Sequence, residues 1–177
     1  RRAIEIEPDY VDAYNNIGIA LAGKGDLDGA LYNYNRAIEI QPELVEVHNN
    51  MGNTLQKKGD LDAAIECYLE AIKRQPDHVS AYNNMGTALN KKGDFEEAIG
   101  SYMRAIKINP SNADANYNMG NALQQNRNLS GALYHYKQVV GCKADHAEAY
   151  NNMALVQRDR GDIEQAIHDF MQAIHIQ

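Results

Sequence analysis

Residues 79–112 read VSAYNNMGTALNKKGDFEEAIGSYMRAIKINPSN, and the fold is decided by how this stretch is parsed. Tyr82, Met85, Gly86 and Leu89 recur at i, i+3, i+4 and i+7, the spacing of one buried helical stripe. After Lys91-Lys92-Gly93-Asp94 the same spacing resumes with Phe95, Ala98, Ile99, Tyr102, Ala105 and Ile106. Gly93 suits the left-handed residue that ends a helix, and Asp94 suits the cap that starts the next. Pro110 closes the stretch, since proline cannot continue a helix interior. The stretch is therefore helix, short turn, helix.

Outward from it, the pattern repeats every 34 residues: Pro8, Pro42, Pro76 and Pro110 keep that step, with Ala144 in the next place. Other columns hold the same register. They run Gly18, Gly52, Gly86, Gly120, Ala154; Ala30, Ala64, Ala98, Ala132, Ala166; and Tyr34, Tyr68, Tyr102, Tyr136, Phe170. The units are 11–44, 45–78, 79–112, a divergent 113–146, and 147–177, which stops near the end of its second helix. Residues 1–10 read as the tail of a preceding second helix, and with no initiator Met the chain is expected to be cut from a longer one. One such unit cannot bury its apolar face alone, so the units must stack. The architecture predicted is an all-α solenoid of antiparallel helix pairs, read as one domain.

Bulk properties narrow the function. Hydrophobic residues at 44% and charged residues at 23% exclude a disordered chain, and no apolar run reaches the roughly 18 residues of a membrane span. The net charge of −7 argues against a nucleic-acid partner, which requires clustered Lys and Arg. Cys67 and Cys142 have neither disulfide nor zinc-ligand spacing, which fits a reducing, cytoplasmic setting. Phosphate-cradling, nucleophile-elbow and metal-binding motifs do not occur. We therefore expect no enzyme activity in this chain, no catalytic residue, no metal and no cofactor. The six histidines are read as surface residues, and Asn128-Leu129-Ser130 as a helix start.

One pattern is left over. Asn16, Asn50, Asn84, Asn118 and Asn152 stand in all five units, flanked by Asn15, Asn49, Asn83 and Asn151, with Tyr117 in the fourth place. At about 100° per residue this column points away from the buried stripe of the first helix. Asn53 and Asn121 lie on the same face. An outward face needs no particular residue, so the ladder calls for an explanation. A primary amide can donate to a peptide carbonyl and accept from a peptide N–H. The eleven asparagines are candidate peptide-binding residues, and a purely structural ladder is the competing reading.

The small residue, Leu, Ala, aromatic, Ala and Pro marks, in phase over essentially the whole chain, resemble the tetratricopeptide-repeat (TPR) family. That resemblance implies a right-handed superhelix whose first helices line a concave groove. The Asn column is also similar to that of the O-linked N-acetylglucosamine transferases, which implies a grip on extended polypeptide. Ser80 and Asn84 stand where the family's clamp for acidic chaperone C-termini has cations, which counts against such a ligand. The expected function is a protein-interaction scaffold that binds extended polypeptide. A substrate-recruiting region of a larger glycosyltransferase, and a structural repeat using its outer surface, are the alternatives. Exposed apolar faces at the ends predict end-to-end self-association, with no membrane partner.

In the fourth unit Asn116 replaces an aromatic, Arg127 the turn glycine and Val139 a small alanine. Units four and five are therefore expected to be joined more loosely.

Overall fold

A computed structural model describes residues 10–176; the expected helix tail at 1–10 lies, but for Tyr10, outside the described residues. The described residues form ten helices: α1 Val11–Lys24, α2 Leu27–Ile40, α3 Val45–Lys58, α4 Leu61–Arg74, α5 Val79–Lys92, α6 Phe95–Ile108, α7 Ala113–Gln125, α8 Leu129–Cys142, α9 Ala147–Arg160 and α10 Ile163–Ile176. No strand occurs among them. None of these helices is long and apolar enough to cross a membrane. The chain divides into two compact units, Arg1–Lys92 and Gly93–Gln177.

In the first unit α1 packs on α2 and α3 on α4, while α3 also packs on α2 and α5 on α4. The turns follow from their residues. Gly25 has φ 85° and Gly59 φ 92°, the left-handed conformation in which L side chains are strained. Beyond the first, Asp26 N–H returns to Leu21 O at 3.0 Å and Gly25 N–H to Ala22 O at 3.3 Å, satisfying carbonyls that the helix end leaves free. Asp26 then caps α2 by accepting from Gly29 N–H at 3.0 Å, and Asp60 caps α4 from Ala63 N–H at 3.3 Å. The lysines closing the leading helices reach back one repeat: Lys58 lies 2.5 Å from Asp28 and Lys92 2.8 Å from Asp62.

The core is a series of tyrosines seated on glycines. Tyr14, Ala30, Tyr34, Ala37 and Val47 form one cluster, and Leu55, Ala64, Tyr68 and Ala88 the next. A Cβ added at Gly18 would lie 2.5 Å from Tyr34 Cε1, and one at Gly52 2.6 Å from Tyr68 Cε1. Such approaches exclude any side chain, so the Gly column and the Tyr column make one joint.

The second unit repeats this plan: α6 packs on α7, α7 on α8, α8 on α9 and α9 on α10. A Cβ at Gly120 would lie 2.5 Å from Tyr136 Cε1. Arg127 holds the turn at φ 59°, the only non-glycine with positive φ among the described residues. The turn's hydrogen bonds are kept: Asn128 N–H to Leu123 O at 2.8 Å and Arg127 N–H to Gln124 O at 3.0 Å. Asn128 caps α8 by accepting from Gly131 N–H at 3.0 Å, which accounts for the sequon. Asn116 is buried and donates to Pro110 O and Asn112 O, both at 3.0 Å, while His135 Nδ1 lies 3.0 Å from its Oδ1. The lost aromatic is thereby replaced by a polar cluster.

Gln157 stands in the column of Leu21, Leu55, Leu89 and Leu123, is 3% exposed, and its Oε1 has no partner. Asp169, also 3% exposed, has an unpartnered Oδ2 in the same unit.

Candidate functional site

In the first unit the ladder amides face the preceding repeat. Asn50 Nδ2 donates to Asn15 Oδ1 at 3.2 Å. One repeat on, Asn84 Nδ2 donates to Asn49 Oδ1 at 3.2 Å and to Asn53 Oδ1 at 2.9 Å. Asn53 Oδ1 also accepts from Tyr68 O–H at 2.8 Å, which ties the ladder to the core tyrosine. Burial pushes the Tyr68 phenol well above its ordinary range, so it stays protonated. Asn50 lacks a second acceptor because Ile19 stands where Asn53 serves Asn84.

The second unit builds the same lattice with one substitution. Asn152 Nδ2 donates to Tyr117 O–H at 3.1 Å and to Asn121 Oδ1 at 3.1 Å. Tyr136 O–H donates to Asn121 Oδ1 at 2.7 Å, and burial raises its pKa as it does for Tyr68. Tyr117 thus supplies the acceptor that Asn15 and Asn49 supply in the first unit.

The candidate residues differ in exposure. Asn16 and Asn151 are exposed; Asn15, Asn50, Asn53, Asn83, Asn84, Asn118, Asn121 and Asn152 are half-buried; Asn49 is buried at 6%. Asn49, Asn53 and Asn84 form one connected group, and Asn121 and Asn152 another. The buried side-chain oxygens without partners among the described residues belong to Asn90, Gln157 and Asp169. The Oδ1 atoms of Asn50 and Asn84 are not among them and accept no hydrogen bond there, so they open to solvent.

Carboxylates lie one turn before most ladder positions: Asp12, Glu46, Asp114 and Glu148, each four residues ahead and on the same face. Glu46 Oε1 lies 3.1 Å from His78 Nε2. In the second unit Glu148, Asn151 and Asn152 open into a cleft of ≈ 530 Å³ beside Tyr117, Phe170 and Ile174. Glu148 approaches His146 Nδ1 at 3.2 Å. That nitrogen also accepts Ala149 N–H at 3.2 Å.

The histidine reading needs correction. His48 and His78 are each 7% exposed, and both are hydrogen-bonded inside the first unit. His48 stands in the column of Tyr14 and Tyr82 and places Nε2 2.9 Å from Pro42 O; His78 Nδ1 caps α5 through Ala81 N–H at 3.1 Å. A buried imidazole here does the work of an aromatic or a cap, which its scatter along the sequence conceals. No group of three His, Cys, Asp or Glu among the described residues could hold a metal. Burial pushes the Cys67 thiol up to about 11, away from the range of a reactive thiolate.

Repeat-family models match along the chain: a TPR repeat at 20–59 and 86–126, and tetratricopeptide repeats at 45–78, at 1–32 and 67–100, and at 147–177. The chain belongs to the tetratricopeptide-repeat family. Solved structures share the fold of this TPR chain. MamA is 27% identical with a TM-score of 0.82, covering 90% of this chain and 94% of its own. YrrB, described as a TPR protein with an unusual peptide-binding site, is 24% identical with a TM-score of 0.75, covering 99% and 91%. PilF of Pseudomonas aeruginosa is 19% identical with a TM-score of 0.87, covering 94% and 76%. No curated protein matches the sequence.

Proposed function

We propose that this TPR array is a non-catalytic scaffold that binds extended polypeptide along the asparagine-bearing face of its leading helices. The observation that carries the reading is Asn84. Two hydrogen bonds to the repeat before it fix its amide, while its carbonyl oxygen stays open to solvent. Asn50 has the same open oxygen in the repeat before. A regular row of oriented polar groups suits a chain backbone and is indifferent to most of its side chains. Each bond contributes a net ~0.5–1.5 kcal/mol, so useful affinity needs several repeats. YrrB, of the same fold, is described as binding peptide, which supports a polypeptide ligand here.

The ladder also braces the stack, since each side-chain hydrogen bond that Asn50, Asn84 and Asn152 donate goes to the preceding repeat. Bracing and binding use different atoms of one side chain and do not compete. We read the boundaries 11–44, 45–78, 79–112, 113–146 and 147–177 as the units that carry one ladder position each.

The test is a triple substitution, Asn50→Ala, Asn84→Ala and Asn118→Ala, assayed against an immobilised library of synthetic 12-residue peptides. Capture is expected to be lost while circular dichroism shows helicity unchanged at the assay temperature. Unaltered capture by the folded variant refutes the groove.

A further inference from the structure

Two seats in this chain match residue by residue, and one of them is filled. In the first unit α5 packs on α4 and touches α3. His78 at its start places Nε2 3.1 Å from Glu46 Oε1, and Asn84 donates to Asn49 and Asn53. Ala81 and Ala88 are fully buried. Ala88 belongs to the cluster of Leu55, Ala64 and Tyr68, with Met85 packed against it. In the second unit α9 carries the same stripe. The His146 ring lies against Tyr117 with centroids 4.9 Å apart, Asn152 donates to Tyr117 and Asn121, and Ala149, Met153 and Val156 are buried. Both helices thus read His-x-x-Ala-x-x-Asn-Met-x-x-Ala or Val along one face.

The second seat is the ≈ 530 Å³ cleft of α9 and α10. There Glu148 stands for Glu46, Asn151 for Asn49, Phe170 for Tyr68, Ala173 for Ala71 and Ile174 for Ile72. Tyr68 and Ala71 are fully buried where α5 packs, and Ile72 is half-buried; Phe170 is only half-buried and Ile174 is 74% exposed. One polar link is missing, on both sides at once. Tyr68 O–H donates to Asn53 Oδ1, whereas the equivalent places hold Phe170 and Leu155. Losing both partners together strands no polar atom, so this seat is more apolar than its twin at no cost in unpaired groups.

We propose that this cleft docks one amphipathic helix of a partner protein that carries the same stripe. Its N-cap histidine donates to Glu148 and its asparagine to Asn151, while its small residues and methionine cover Phe170, Ala173 and Ile174. This is a helix laid in a groove, distinct from the extended polypeptide proposed above. The filled twin defines the chemistry of the occupant, and the chain does not supply it. α5 and α9 are already seated, and α1, with Ala13, Asn16, Ile17 and Ala20 in the stripe, has Tyr10 where the histidine belongs. A second copy is therefore the poorer match.

The probe is a fluorescein-labelled synthetic peptide of residues 77–93, which holds the α5 stripe with its histidine, titrated with the whole chain. Its anisotropy is expected to rise, and difference circular dichroism to show helix gained on binding. Ile174→Lys, at an exposed position, is expected to weaken binding at least about tenfold. Glu148→Gln is expected to weaken it about threefold and to leave a His78→Ala peptide unaffected. The Asn50, Asn84, Asn118 triple variant is expected to bind the probe as the parent does. No binding, a bound peptide without helix, or full affinity in Ile174→Lys overturns the proposal. Loss of binding in the triple variant also overturns it, by moving the probe to the asparagine groove. If the chain associates with itself more tightly than it binds the probe, the occupant is a second copy and the partner helix is refuted.

Discussion

Asn50 and Asn84 occupy the same place in consecutive leading helices, yet their neighbourhoods are unequal. Asn84 makes two bonds, one of them to Asn49, which is 6% exposed; Asn50 makes one, to half-buried Asn15. Truncating Asn84 therefore strands a buried acceptor, and Asn84→Ala is expected to cost about 1–3 kcal/mol against about 1 kcal/mol for Asn50→Ala. Urea unfolding of the two variants checks the order, and a larger loss at Asn50 contradicts the lattice. The existence of the ladder was legible in the sequence because it repeats without a break. Its hydrogen-bond direction was not, because that depends on Ile19 or Asn53 in the preceding helix and on a tyrosine hydroxyl that the pattern presents only as core filler. His48 and His78 were opaque for a related reason: imidazole is polar by composition, but there it sits in an aromatic column or at a helix cap.

The turn before α8 shows what a single element requires. Gly25, Gly59, Gly93 and Gly161 all have positive φ, and Arg127 adopts the same conformation with a side chain attached. The crowding of its Cβ costs of order 1 kcal/mol, which a glycine relieves in the folded state and partly gives back through a looser unfolded chain. Arg127→Gly is expected to stabilise the chain by about 0.5–1 kcal/mol, read as a raised urea midpoint with unchanged slope. A lowered midpoint would mean that the arginine makes a contact worth more than its strain. Helix positions were readable because most repeats carry a turn glycine, an acidic or amide cap before the second helix, and a closing proline. The looser joint expected between units four and five is a matter of dynamics: Val139 is fully buried, and α9 packs on α8 as α3 packs on α2.

At the scale of the molecule, repetition predicts that the two ends of the array are complementary. On α10, Ile167, Met171 and Ile174 are 55%, 64% and 74% exposed, whereas Leu31 and Ile38, the counterparts of Ile167 and Ile174 on α2, pack into cores. On α1, Ala20 is exposed, whereas its counterparts Thr54, Ala88, Ala122 and Val156 are buried. One copy's exposed α10 face is expected to pair with the leading end of a second copy, head to tail. Concentration-dependent association is expected in sedimentation velocity, abolished by Ile167→Lys with Ile174→Lys. A species that stays monomeric at millimolar concentration argues against it. The 34-residue period made this expectation available from sequence, but which apolar side chains stay uncovered required coordinates.

The amide lattice has a direction as well as a period. Asn50, Asn84 and Asn152 each lend amide hydrogen to the repeat on their N-terminal side. Damage should therefore travel upstream. Removing Asn84 or Asn152 deprives the earlier repeat of a donor and takes one partner from the asparagine that holds that repeat's tyrosine. Inherited or engineered lesions in such an array would then be felt one hairpin before the place where they are written.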